Sequence, residues 1–148
     1  MTKQPKSEPF DLDRFVSAQQ PVYEAALAEL RQGRKQTHWI WFVFPQVDGL
    51  GSSSTARHYA IKSRAEAAAY LAHPVLGVRL LECTETVLVH SRKSAHDIFG
   101  SPDNLKFCSS MTLFERAGGG PGFGRALDQF FGGERDSKTV AIFDDWLT

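Results

Sequence analysis

Cysteine is scarce in this sequence, and the two residues present, Cys83 and Cys108, stand far apart. There is no C-x-x-C pair and no neighbouring His-x-x-x-His, so the pattern indicates neither a zinc site nor a disulfide framework. We therefore expect no metal and no cofactor, and we interpret both thiols as small buried apolar side chains.

An excess of one charge and long apolar runs are also missing. Lys plus Arg equals Asp plus Glu at 17 each, and the densest basic stretch is Arg31–Lys35, which disfavours a nucleic acid partner. The longest apolar run, Trp39–Phe44, is far shorter than the ~20 residues of a membrane span. Residues 1–10 contain no apolar signal region. We expect a cytoplasmic protein that binds no membrane.

Length and composition predict one domain. The chain has 148 residues, of which 42% are hydrophobic and 23% are charged, as in an ordinary globular domain. Residues 1–9 are polar, carry prolines and show no periodicity. We expect a flexible tail over residues 1–9 and a single compact multi-helix domain over residues 10–148.

Apolar residues recur at helical spacing along most of the chain. The clearest case is Leu76–His90, where Leu76, Leu80, Cys83 and Val87 share one stripe. Ser63 and Glu66 have the spacing of a capping box. The other predicted helices, placed by caps, prolines and glycines, are Asp11–Ala18, Pro21–Gly33, Ser63–His73, Ser101–Gly118, Phe123–Phe131 and Asp136–Leu147.

The run Trp39–Phe44 is ambiguous on its own, because its residues favour strands. A strand that is apolar on both faces needs a partner on each side. The chain offers one other β-leaning run, Thr139–Phe143, which is too few. We therefore predict a buried helix that is capped by Thr37 and stopped at Pro45, and an all-α fold.

The glycine-rich stretch Gly118–Gly124 has no Lys-Ser/Thr after it and no strand before it, so a connector between helices is a better interpretation than a phosphate loop. Its following helix has N–H groups that could hold an anion weakly. No Ser-His-Asp order, paired-carboxylate pattern or metal cluster points to a reaction.

Polar residues flank the aromatic run and make it a candidate wall of a small-molecule pocket. His38 precedes the run, and Gln46 and the loop serine Ser53 follow it. An apolar wall beside a few polar groups is typical of ligand sites, but also of any buried helix that surfaces into a turn. Ser109, on an otherwise apolar helix, either bonds back to that helix or faces the same pocket.

Three blocks of sequence, GRKQTHWIWFVFPQVDGLGSSS, YAIKSRAEAAAYLAHPVLGVRLLEC and LKFCSSMTLFE, resemble the signature blocks of the bacterial family named domain of unknown function 1810. The resemblance runs from about Leu12 to Leu147 and implies an all-helical fold but no activity. Its motif positions include Lys35, Trp39, Trp41 and Tyr59, together with four whose polarity structure does not explain: His38, Gln46, Ser53 and Ser109.

A fainter likeness concerns the aromatic-Pro block followed by a helix bearing Tyr and Glu. In this respect the chain is similar to the ADP-ribose-related N-glycosidase superfamily. The likeness implies a ligand class, nucleotides or ADP-ribose-like compounds, and an N-glycoside hydrolase as the activity to test.

Two functions stay open from the sequence. In the first, a small molecule stacks on Trp39 or Trp41, His38 is the best catalytic candidate, and Ser53 with Lys35 meets a phosphate or sugar. In the second, the chain is a non-enzymatic protein-interaction module with an unknown partner. Fully internal tryptophans and no cavity at His38 would exclude the first, whereas an apolar pocket beside Gln46 would weaken the second.

Overall fold

The computed structural model describes residues 10–146, and these residues form ten helices. The helices are α1 (Asp13–Gln19), α2 (Tyr23–Gln32), α3 (Ile40–Val43), α4 (Ser54–His58), α5 (Arg64–Ala72), α6 (Leu76–Leu88), α7 (Ala95–Phe99), α8 (Asp103–Arg116), α9 (Pro121–Phe131) and α10 (Ser137–Asp145). The predicted all-α fold is confirmed, since the β pairing within residues 10–146 is one isolated parallel bridge between Val47 and Ile61. The tail expected over residues 1–9 lies outside the described residues.

Two long helices organise the packing. Helix α8 contacts α3, α5, α7, α9 and α10, and helix α6 contacts α2, α5 and α9. The stripe predicted on α6 is confirmed, because Leu76, Leu80, Cys83 and Val87 are all buried in one continuous apolar cluster. None of the helices in residues 10–146 has the length and apolar character needed to cross a membrane.

The aromatic run is helical, as predicted, but the helix is a single turn. Helix α3 has four residues, and its N-cap position is Trp39 with no side-chain hydrogen bond. The expected cap by Thr37 is wrong, since the Thr37 hydroxyl donates to Glu29 Oε2 at 2.6 Å. One turn suffices to send neighbouring aromatic side chains in different directions, so that Trp39 is buried and Trp41 is half-buried.

Helix starts agree with the sequence in part. Ser63 caps α5 by accepting from Glu66 N–H at 3.0 Å, and Asp136 caps α10. The reciprocal half of the predicted capping box is wrong, because Glu66 Oε1 accepts from the Lys62 N–H instead. Asp11 caps no helix, since α1 begins at Asp13 after an uncapped residue.

Candidate functional site

A cavity of about 480 Å³ opens between the segment that follows α3 and the starts of α8 and α10. We name it the Trp41 cavity. Four candidates from the sequence line it together: Trp41, Gln46, Ser53 and Ser109. They lie on two stretches of chain that are distant in sequence, residues 41–53 and the helix α8. Their meeting in one concave site is the arrangement that the small-molecule hypothesis requires.

One wall of the Trp41 cavity is aromatic and cationic. Lys106 Nζ lies 5.0 Å from the centroid of the Trp41 ring, within the range of a cation–π contact. Its ion pair with Asp103 Oδ1 is long, 3.5 Å, because Asp103 pairs more closely, at 2.8 Å, with Lys35 through Oδ2. Lys138 also lines the cavity, and it forms no ion pair within residues 10–146.

Hydroxyl groups on α8, the helix that also carries Lys106, hold Asp136 at the Trp41 cavity. Ser109 Oγ lies 3.1 Å from the Leu105 carbonyl oxygen and 3.3 Å from Asp136 Oδ2 and can donate to either. Thr112 Oγ1 accepts from the Asp136 N–H at 3.0 Å. The sequence left two alternatives for Ser109, a hydrogen bond to its own helix or a place in the pocket. In the structure Ser109 lies within hydrogen-bond distance of its own helix and also lines the cavity. A carboxylate is thereby fixed at the rim of the cavity.

The segment after α3 supplies the third side. The Gln46 carbonyl accepts from the Ile61 N–H at 2.8 Å, and this bond anchors the backbone. The Gln46 amide makes no hydrogen bond within the described part of the chain, so its donors and acceptor are available to a ligand. Gly51 permits the loop to turn here, because a Cβ at that position would lie 2.6 Å from the Ala56 Cβ.

Four other candidates from the sequence lie outside the Trp41 cavity. Trp39 is 1% exposed and donates from Nε1 to Glu29 at 2.9 Å, so it is a core residue. Lys35 is engaged by Asp103. Tyr59 packs against Phe15, Phe42 and His58.

His38, the catalytic candidate, is exposed on the loop between α2 and α3. It lines neither the Trp41 cavity nor two further cavities in residues 10–146, and it makes no hydrogen bond to another described residue. The sequence analysis set two tests, a cavity at His38 and a pocket beside Gln46, and they have different outcomes. A pocket does open beside Gln46, but it does not adjoin His38.

The thiols are poor nucleophiles in this fold. Burial raises the pKa of Cys83 to about 12 and that of Cys108 to about 11, so both stay protonated near neutral pH. Within residues 10–146, no three His, Cys, Asp or Glu side chains are grouped closely enough to hold a metal ion.

Sequence reasoning missed Lys106, Lys138 and Asp136 as site residues. For Lys106 a signal was present, because it precedes Ser109 by three residues on α8 and so shares its face. Asp136 was correctly predicted as a helix cap, but a cap gives no sign of the cavity beside it. Lys138 is an ordinary exposed lysine in the sequence, and only the packing of α10 against α8 brings it to the site.

One comparison with known proteins identifies the family, and none assigns an activity. A family model described as "Protein of unknown function (DUF1810)" matches residues 9–143. Among solved structures, the chain is similar to the crystal structure of the conserved hypothetical protein Rv1873 from Mycobacterium tuberculosis, at 53% identity and a TM-score of 0.91, covering 95% of this chain and 100% of that chain. No curated protein matches the sequence.

Proposed function

Because the chain belongs to the DUF1810 family, whose description assigns no activity, we propose from its own geometry that it binds a small anionic ligand with a flat ring, of the nucleotide class, in the Trp41 cavity. Membership confirms the resemblance drawn from the three sequence blocks. The observation that carries the proposal is the half-buried Trp41 ring with Lys106 Nζ 5.0 Å from its centroid, inside a cavity of about 480 Å³.

The size of the cavity suits one small molecule. Ligand pockets usually measure roughly 300 to 1,000 Å³ and combine an apolar wall with a few polar groups. Here Trp41 offers an aromatic face, on which a flat ring gains stacking and area burial. Gln46 and Ser109 offer polar atoms at the same site.

The charged side chains that line the Trp41 cavity favour a ligand with a negative charge. Lys106, Lys138 and Asp136 line the cavity, which leaves one positive charge in excess. Lys106 has only a long ion pair within the described residues, so its ammonium protons can turn to a phosphate with little loss. A phosphate also gains from Lys138, which is exposed and unpaired in residues 10–146. An anionic ligand fits this balance better than a neutral or cationic one.

Binding is better supported than hydrolysis. The mechanism of most glycoside hydrolases uses two carboxyl groups, one on either side of the glycosidic bond. The lining of the Trp41 cavity contains one carboxylate, Asp136, and no imidazole. His38, on which a hydrolytic role was hypothesised, lies elsewhere. The cytoplasmic location expected from the sequence is part of the same proposal, since free nucleotides are abundant there.

The alternative, a protein-interaction module, has one observation in its favour. A second cavity, of about 390 Å³, is lined by small and apolar residues between α5, α6 and α9. Leu81, which lines this cavity, is 45% exposed, and Val78, three residues earlier on α6, is 64% exposed. Apolar exposure of this kind occurs at protein interfaces, but no feature of the described residues indicates the partner.

The proposal is tested by thermal unfolding and calorimetry with AMP, ADP, ribose 5-phosphate, adenosine and inorganic phosphate. A ligand at about 100 times its Kd adds ~2.7 kcal/mol, which raises the Tm of a domain of this size by roughly 5 to 10 °C. We expect AMP and ADP to give this shift. Lys106→Gln should weaken AMP binding at least about 10-fold, by removing a charge-assisted contact.

The controls separate the Trp41 cavity from other sites. Lys93→Gln removes an exposed lysine outside the cavity and should leave AMP binding unchanged, as should His38→Ala. If no ligand of the panel binds at millimolar concentration, the proposal is wrong. If His38→Ala abolishes binding while Lys106→Gln does not, the site lies on the loop before α3, as the sequence suggested.

A further inference from the structure

We propose that the Asp136 carboxylate accepts hydrogen bonds from sugar hydroxyl groups. The ligand of the Trp41 cavity is then a ribonucleotide rather than a nucleotide without ribose hydroxyls. This inference rests on the proposed function, because it assigns the ligand class within the same cavity. It starts from the unequal surroundings of the two carboxylate oxygens of Asp136.

One oxygen of Asp136 is saturated by the protein. Oδ2 accepts from the Thr139 N–H at 3.0 Å and from the Thr139 hydroxyl at 2.5 Å. The Ser109 hydroxyl, which can donate to the Leu105 carbonyl instead, lies 3.3 Å from Oδ2. Thr139 and Ser109 are both buried, and the Asp136 N–H donates to Thr112. The carboxylate is therefore held in one orientation before any ligand arrives, which lowers the entropic cost of binding to it.

The other oxygen is open. Oδ1 has no donor within hydrogen-bond distance in residues 10–146, and it is not among the buried side-chain atoms left without a partner. Oδ1 is therefore accessible to solvent. Neither cavity lysine, Lys106 or Lys138, forms an ion pair with Asp136. The helix cap uses one oxygen, and the second oxygen stays unpaired on a residue that lines the Trp41 cavity.

The free oxygen specifies the chemistry of its partner. An ionised carboxylate only accepts hydrogen bonds, so a group facing Oδ1 must be a donor. The same ligand must offer an anion to Lys106 and a flat ring to Trp41. A ribonucleotide joins these three features in one molecule, since ribose carries two adjacent hydroxyl donors between its base and its phosphate. A carboxylate that accepts from ribose hydroxyls is a recurrent means of recognising this sugar.

The inference predicts discrimination against nucleotides without ribose hydroxyls. When the hydroxyls are absent, the carboxylate loses its partner and its charge faces the anionic ligand unrelieved. A hydrogen bond to a charged group at a partly exposed site corresponds to about 10- to 100-fold in affinity. We expect AMP to bind more tightly than 2′,3′-dideoxy-AMP by this factor.

The test compares the two nucleotides on wild type and on Asp136→Asn by titration calorimetry. Asparagine caps helices as well as aspartate does, so the variant should keep the start of α10, which circular dichroism and the Tm verify. The ratio of the two affinities should fall towards 1 in Asp136→Asn. Asp136→Ser, which also preserves a cap but lacks Oδ1 altogether, gives the same result if Oδ1 is the atom responsible.

The outcomes distinguish this inference from the function on which it rests. If wild type binds AMP and dideoxy-AMP equally, the inference is wrong and the nucleotide site stands. If neither nucleotide binds, both the proposed function and the inference that rests on it are wrong. Asp13→Asn, which removes an exposed carboxylate on α1 outside the cavity, should keep the wild-type ratio. A loss of the ratio there would show a general effect of charge and would overturn the role of Asp136.

Discussion

Glu29 is the residue on which the placement of the aromatic run most depends. Its carboxylate, on a side chain that is 9% exposed, accepts four hydrogen bonds, from the Gln36 and Thr37 N–H groups, the Thr37 hydroxyl and Trp39 Nε1. Burial by itself would raise the pKa of Glu29, but these donors outweigh burial and lower the pKa below its usual value. The carboxylate thus ties α2 to the residues that enter α3.

The first prediction concerns the charge of Glu29. A carboxyl whose pKa is lowered in the folded state stabilises the fold above its unfolded pKa, about 4.3, and loses this contribution as the pH falls. Glu29→Gln keeps the size but loses the charge, and should lower the free energy of unfolding at pH 7 by about 2 kcal/mol. Urea unfolding at pH 7 and pH 3 should show the difference between wild type and variant shrinking at the lower pH.

Glu24→Gln is the matched control, because Glu24 is exposed in the first turn of the same helix. It should change the free energy of unfolding by less than about 0.5 kcal/mol. A Glu29→Gln effect that is equally large at pH 3 would contradict the prediction, since it would show that shape rather than charge is responsible.

The same residues show why the candidate site was only half predictable. The sequence places Trp39 and Trp41 in one apolar run, but positions two apart on a helical turn point in different directions. Which one is buried depends on the side from which Glu29 and the core approach, and that is tertiary information. Gln46 and Ser109 were identified by their polarity. Lys35 was expected to bind a ligand and is instead engaged by Asp103, a partner distant in sequence.

At the scale of elements, the corner between α5 and α6 requires a glycine. A Cβ added at Gly77 would lie 2.1 Å from the carbonyl oxygen of Leu71, a backbone atom that cannot rotate away. The two helices approach closely here, with His73 accepting from the Gly77 N–H at 3.0 Å. A side chain at this position must therefore separate the start of α6 from the end of α5.

The second prediction tests this corner. Gly77→Ala should lower the free energy of unfolding by about 3 kcal/mol, the upper end of the usual cost of overpacking, because the clash is with a backbone atom. The Tm should fall by roughly 6 to 12 °C. Gly122→Ala is the control within a helix, since its Cβ would make one tight contact, at 3.3 Å, with the flexible carboxylate of Glu85, and would meet Leu81 at an ordinary 3.7 Å. Alanine's better helix propensity should keep its effect within about 1 kcal/mol. Equal losses in the two variants would contradict the argument.

Periodicity predicted the long helices, whereas the four-residue α3 was predicted by excluding a strand. Helix α6 has 13 residues, enough for its apolar stripe to show a period. Helices α4 and α7 have five residues each, which is too short for periodicity, and neither was predicted. For α7 another signal existed, because Ser94 and Asp97 form a reciprocal capping box. Its spacing in the sequence is the same as that of Ser63 and Glu66, where the structure forms only one half.

At the scale of the whole molecule, aromatic side chains connect α3 and α8, the helices that carry Trp41 and Lys106 at the Trp41 cavity. Phe107 on α8 is fully buried. Its ring packs against Phe44 just after α3 at 5.0 Å and against Phe99 on α7 at 4.5 Å between centroids. It also approaches Phe130 and Phe131 on α9. One side chain thus joins four parts of the fold, and the cavity depends on their staying together.

The last prediction is that Phe107→Leu destabilises α7, α8, α9 and the segment after α3 together. The loss of aromatic contacts and volume should reduce the free energy of unfolding by about 1 to 3 kcal/mol. Tryptophan fluorescence, which includes the buried Trp39, and far-ultraviolet circular dichroism, which reports every helix, should give the same lowered midpoint in urea. Val89→Ala, at a residue that is 75% exposed, should leave both within about 0.5 kcal/mol of wild type.

Agreement between the two signals bears directly on the proposed binding site. Trp41 lies on α3, whereas Lys106 and Ser109 lie on α8, so a ligand that contacts all three requires these two helices at a fixed distance. If Phe107→Leu makes fluorescence change at lower urea than circular dichroism, the α3 wall unfolds separately, and AMP must order it on binding. AMP would then raise the urea midpoint measured by fluorescence more than the midpoint measured by circular dichroism. Coincident transitions would instead mean that the cavity is formed before its ligand arrives.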